Sequence, residues 1–117
     1  KKLNKLTVGS LDYVRDWSYA GDISKAIYAI TNKGISNTYV IGSGKGNSIK
    51  TVIEIIFDNF DLNFDKYVDV DETLIRKGDP VSIISNPKKI NNELSWSNNV
   101  SFEDLIQICI ESKINKF

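Results

Sequence analysis

The chain has 117 residues, 41% hydrophobic and 26% charged, with 15 basic residues against 15 acidic ones and a net charge of zero. That is enough for one domain with a modest core, and the even balance excludes a general affinity for nucleic acid or an anionic membrane. His is absent, which removes imidazole bases and the commonest zinc ligand, and a single Cys109 forbids an internal disulfide, as expected of a cytoplasmic protein.

No apolar run reaches the roughly 18 residues of a membrane span, and no signal-peptide pattern opens the chain. Lys1 rather than Met stands first, so the chain is expected to be a cut, processed or subcloned piece. Leu6–Val8 reads as a short strand ending at Gly9-Ser10. A first helix is expected from about Asp22 to Asn32, with Ile23, Ala26, Ile27 and Ile30 on one face, closed by a left-handed Gly34.

Thr38–Ile41 is a β-rich run and reads as a strand. Gly42-Ser43-Gly44-Lys45-Gly46-Asn47 is then a turn before a second helix capped by Ser48. Ile49, Val52, Ile53, Ile56 and Phe60 form the apolar stripe of that helix. After a polar connection over Asp61–Asp65, Lys66–Val70 reads as a strand, and Val81–Ser85 as another. Asn86 caps a short helix with Pro87 in its first position, reaching about Leu94.

Ser101 and Asp104 form an Asp-type capping box, with Val100 and Leu105 as its hydrophobic staple. The last helix is expected to bury Phe102, Leu105, Ile106, Cys109 and Ile114, which makes Cys109 an inert core thiol. About four helices alternating with about four short strands give a small α/β unit.

The strand, glycine-rich turn and helix around Gly42–Ser48 have the order of a phosphate-cradling loop. Their spacing does not. A dinucleotide fingerprint needs glycine where Asn47 stands, and a Walker loop needs Gly-Lys directly before Ser or Thr. A structural turn is the expected reading. Four residues after the five tyrosines stand Trp17, Ile23, Asn32, Ser43 and Asp71, so no Tyr-x-x-x-Lys base is present. Asp58, Asp69, Asp71, Glu103 and Asp104 are expected to be solvated.

Two segments offer chemistry. Arg15-Asp16-Trp17 puts a guanidinium beside a stackable ring, which suits an anionic, ring-bearing ligand. Arg76-Lys77-Gly78-Asp79-Pro80 adds a second arginine and a carboxylate for ribose hydroxyls. Read singly, each is a charged surface feature. Spacing does not show whether the two segments meet.

Gly9-Ser10-Leu11-Asp12 through Arg15-Asp16-Trp17 and Gly21-Asp22 resembles the G-N-L-D-x-x-R-D-W-x-x-A-x-D run of GDP-mannose dehydratases. Tyr39–Gly46, Ser85–Trp96 and Val100–Leu105 are similar to later segments of the same enzymes. Nearly the whole chain therefore resembles the C-terminal substrate-binding part of extended short-chain dehydrogenases, the NAD-dependent epimerase/dehydratase family.

The resemblance implies that Arg15 and Arg76 hold a nucleotide diphosphate, that Asp79 accepts from the ribose, and that Ser10 lies near the sugar nucleotide. GDP-mannose is the favoured ligand. It implies a longer enzyme whose N-terminal Rossmann domain carries the glycine fingerprint, the catalytic pair and NADP or NAD, leaving this chain inactive alone with no cofactor site. A homo-oligomer is left open. Arg76-Lys77-Gly78-Asp79 is closer to the R-x-G-D form of UDP-hexose epimerases, so a UDP- or dTDP-hexose enzyme is the alternative. A non-catalytic nucleotide- or protein-binding module is the other.

Overall fold

In the computed structural model, which describes residues 4–34 and 36–116, five short strands alternate with five α-helices. Strand β1 (Leu6–Val8) pairs in parallel with β4 (Val68–Val70). A second sheet has β2 (Val14–Asp16) at its centre, antiparallel to β3 (Gly46–Ser48) and parallel to β5 (Ser82–Ile83). Helices α1 (Ala20–Asn32), α2 (Ile49–Asn59), α3 (Phe64–Tyr67), α4 (Lys88–Leu94) and α5 (Phe102–Ile114) pack around these ribbons.

Helix ends follow local chemistry. Ser48 Oγ accepts from the Thr51 amide at 3.1 Å, and Ser101 Oγ accepts from the Asp104 amide at 3.1 Å. Each supplies a partner to a first-turn amide that the helix cannot satisfy itself. Gly34 closes α1 at φ 61°, where glycine alone avoids a Cβ penalty. Helix α1 starts two residues earlier than its apolar pattern indicates, and α4 has Pro87 at its N-cap rather than inside it.

Several expected strands differ. Thr38–Ile41 lies in no strand of the described residues: Tyr39 and Ile41 pack on the core while Val40 is 54% exposed. Its β-type alternation is present without a partner strand. Lys66 and Tyr67 are helical because Asn63 caps α3 through the Lys66 amide at 2.8 Å, so that strand begins at Val68. The Val81–Ser85 run pairs only over Ser82–Ile83. Conversely, Gly46-Asn47, expected as part of a turn, and Val14–Asp16, for which the sequence indicates no element, are strands because they pair with each other.

The core is small. Ala26, Ile90 and Trp96 form its buried centre, flanked by Ile30, Tyr39, Ile41 and Leu94. Helix α5 lies against α2 and buries Ile106 and Ile110, not Cys109, which is exposed, nor Ile114, which is 55% exposed. Positions 106 and 110 lie one helical turn apart, and Cys109 falls to the side of that line. The molecule is a slab of 54 × 38 × 17 Å with a radius of gyration of 17.3 Å, against about 13 Å for a compact domain this long. No helix among the described residues is long and apolar enough to cross a membrane.

Candidate functional site

Arg15 sits in the middle of the central strand, its backbone opposite Asn47 on one side and Ile83 on the other. Pairing on both sides fixes where its side chain leaves the sheet. Alternation then sends Arg15 and Asp16 to opposite faces. This separates two neighbours that the sequence suggests as an ion pair.

On the Arg15 face lies a cleft of about 360 Å³, within the range of small-ligand sites, walled by Val8, Ile49, Leu74 and Ile75. Ser10, Arg15, Arg76 and Asp79 all line it. The structure thus brings the two charged segments, 61 positions apart at their arginines (76 minus 15), to one place. Arg15 Nη2 meets Asp79 Oδ1 at 3.0 Å, and Nη1 donates to the Val14 carbonyl at 2.8 Å. Arg76 is exposed, with no ion-pair partner among the described residues. The arrangement presents a paired guanidinium, an exposed one and a carboxylate to a half-apolar cavity. That set can hold an anion and a hydroxyl-bearing ring.

Trp17 is not part of this cleft. Strand β2 ends at Asp16, so alternation does not carry on to residue 17. Its indole donates to the Asn47 carbonyl at 3.2 Å and borders a separate polar depression with Lys45 and Asn99. The aromatic ring beside Arg15 is Tyr13, whose centroid lies 5.4 Å from the guanidinium carbon.

Asp16 ties the back of the sheet together. Its carboxylate accepts from the Ser43 amide at 3.0 Å, the Gly44 amide at 2.9 Å and the Ser85 amide at 3.2 Å. The Ser43 and Ser85 hydroxyls also donate to it. Burial alone would push this carboxyl up, but the hydroxyls of Ser43 and Ser85 and the amides of Ser43 and Gly44 hold it down to about 2. The glycine-rich loop therefore directs its amides at the protein's own carboxylate rather than at a phosphate. Gly42 has no room for a side chain, since a Cβ there would lie 2.9 Å from Asp16 Oδ2 and closer still to Ser85.

Asp22, fully buried, does a similar job at the start of α5. Its Oδ2 accepts from the Asn99 and Val100 amides, both at 2.9 Å, and Lys25 Nζ stands 3.6 Å from Oδ1. Burial opposes ionisation, yet those two amides and Lys25 outweigh it and lower the carboxyl. The sequence gives Asp16 only an ion pair with its neighbour and Asp22 no structural role, because the partners of both carboxylates come from segments far along the chain.

Among the described residues no cluster of His, Cys, Asp and Glu could hold a metal. The sequence profile for GDP-mannose 4,6 dehydratase matches residues 1–109. The chain belongs to that family.

Arabidopsis thaliana GDP-mannose 4,6 dehydratase 2 is 26% identical over 110 residues, which is 94% of this chain and 30% of the plant protein. Among solved structures, Bordetella bronchiseptica WbmG in complex with NAD and UDP is 26% identical, with a TM-score of 0.71 over 88% of this chain and 34% of that one. The NAD complex of Bacillus anthracis dTDP-glucose 4,6-dehydratase shares the fold at a TM-score of 0.82 and 24% identity, covering 96% of this chain and 35% of that enzyme. The chain spans roughly 30% of the length of the first curated relatives it matches.

Proposed function

We propose that the Arg15 cleft holds the diphosphate and ribose of a nucleotide diphosphate sugar, with GDP-mannose favoured, and that the chain is the substrate-binding part of a dehydratase. The observation that carries this is the convergence of Ser10, Arg15, Arg76 and Asp79 on one cavity. Arg15 and Arg76 would take the phosphates through charge-assisted hydrogen bonds. Asp79 engages Arg15 through Oδ1 only. Its second oxygen is left for a ribose hydroxyl, and Ser10 would lie near the sugar nucleotide.

In that reading a separate Rossmann domain brings NADP or NAD and the catalytic Tyr-x-x-x-Lys pair, and this chain contributes binding energy and orientation. The nicotinamide would supply hydride acceptance at C4 of the hexose. The glycine-rich loop would not cradle the cofactor's phosphates, because its Ser43 and Gly44 amides are turned onto Asp16. Alone, the chain would be inactive. The flat shape and the exposed Val40, Ile83 and Ile84, which line one depression, fit a face meant for that domain.

A second reading exchanges the base. The Arg76-Lys77-Gly78-Asp79 sequence favours a UDP sugar, as does the UDP complex of the related WbmG. Calorimetric titration of the chain with GDP-mannose and UDP-glucose decides between them. Arg15→Ala and Arg76→Ala should each weaken the tighter ligand at least tenfold, on the order of one charged hydrogen bond. Unchanged affinity in both variants would remove the cleft from consideration.

A further inference from the structure

We infer that Tyr13 is a positioning residue for ligand binding, acting through Arg15; this rests on the reading of the cleft as a diphosphate site. Tyr13 lines the same cavity as Arg15, immediately before the strand that carries it. Its ring centroid is 5.4 Å from the guanidinium carbon, inside the reach of a cation–π contact. Its carbonyl accepts from the Ile49 amide at 3.2 Å, which pins the Tyr13 backbone to the start of α2.

Arg15 is half-buried and held on three sides. Asp79 takes Nη2, the Val14 carbonyl takes Nη1, and the Tyr13 ring lies beside the guanidinium. Two of the five N–H donors of a guanidinium are thereby engaged, and the rest remain for a ligand. The ring matters because the other two contacts do not fix the fork alone. Asp79 is itself a proposed ligand contact through its second oxygen, so its charge is shared between Arg15 and a ribose hydroxyl. The Tyr13 ring and the Val14 carbonyl are not proposed ligand contacts, so they keep the guanidinium in place when substrate enters. An arginine held this way loses less freedom on binding an anion.

The test is a double-mutant cycle by calorimetry on the whole chain. GDP, UDP and dTDP are titrated first, and the tightest binder is used throughout. Tyr13→Phe keeps the ring and should bind like the parent. Tyr13→Leu keeps an apolar side chain but not the quadrupole and should bind about three- to twenty-fold more weakly.

In the Arg15→Ala background, Tyr13→Leu should have no further effect. A merely structural tyrosine would weaken binding equally in both backgrounds, and that result overturns the inference. So does parental affinity in Tyr13→Leu. If Arg15→Ala itself leaves affinity unchanged, or no nucleotide binds, the diphosphate reading falls and this inference with it. Strong Arg15 dependence with a silent Tyr13 removes the inference alone.

Discussion

Replacing Asp16 by asparagine should destabilise the fold far more than a half-exposed position would suggest. The carboxylate accepts three backbone amides and two hydroxyls from the loops at Ser43 and Ser85. Asparagine has one acceptor oxygen and places an NH₂ against donors. With the oxygen at the Oδ1 position the Gly44 and Ser85 amides lose their partner, and with it at the Oδ2 position the Ser43 amide and hydroxyl do. At roughly 1–3 kcal/mol for each unsatisfied group, less relief by water at the rim, the expected loss is about 2–4 kcal/mol. For a domain this long that lowers the melting temperature by roughly 6–20 °C.

The same residue sets an acid limit. Its carboxyl is lowered from 3.8 to about 2 in the folded protein, so its contribution is complete above pH 4 and disappears as the pH falls through 2. That shift corresponds to about 2 kcal/mol before solvent screening and about 1 kcal/mol after it. Thermal unfolding by circular dichroism, run from pH 7 to pH 2 on both proteins, measures both effects. The gap between parent and Asp16→Asn should narrow between pH 4 and pH 2. A gap under 0.5 kcal/mol at pH 7, or one that stays constant into acid, would refute the reasoning.

Asp22→Ala removes the acceptor of the Asn99 and Val100 amides while leaving them partly buried. Hydrogen exchange at those two amides should accelerate at least tenfold, and the chain should lose about 2–4 kcal/mol by urea titration. Cys109 is exposed, so a thiol reagent should label the native chain stoichiometrically without denaturant. Labelling that waits for unfolding would place the thiol in the core.

Helices were legible in the sequence because each carries its own code. The Ser48 and Ser101 caps and the α2 stripe around Ile53 are local, and the structure keeps both caps and the stripe except Phe60, which lies past the end of α2 and is 47% exposed. Strands of two or three residues carry no such code, because they exist only where a distant segment pairs with them. Val14–Asp16 became a strand through Asn47 and Ile83, and Thr38–Ile41 stayed unpaired despite better β composition. Helix α5 misled because Cys109 and Ile114 flank the Ile106–Ile110 line on either side, so periodicity could not tell how wide a face the core covers. The arginine pair was legible by type. Its convergence required the register between β2 and β5. Tyr13 in place of Trp17 as the ring beside Arg15 depended on where β2 ends.

The central claim is that Arg15 and Arg76 close on one diphosphate. Side-chain guanidinium resonances, followed by NMR while GDP is added to the chain, test it most directly. The account predicts that Arg15 and Arg76 shift together along one saturating curve, with the Ser10 and Asp79 amides moving at the same midpoint. Shifts centred elsewhere, or at only one of the two arginines, would contradict it.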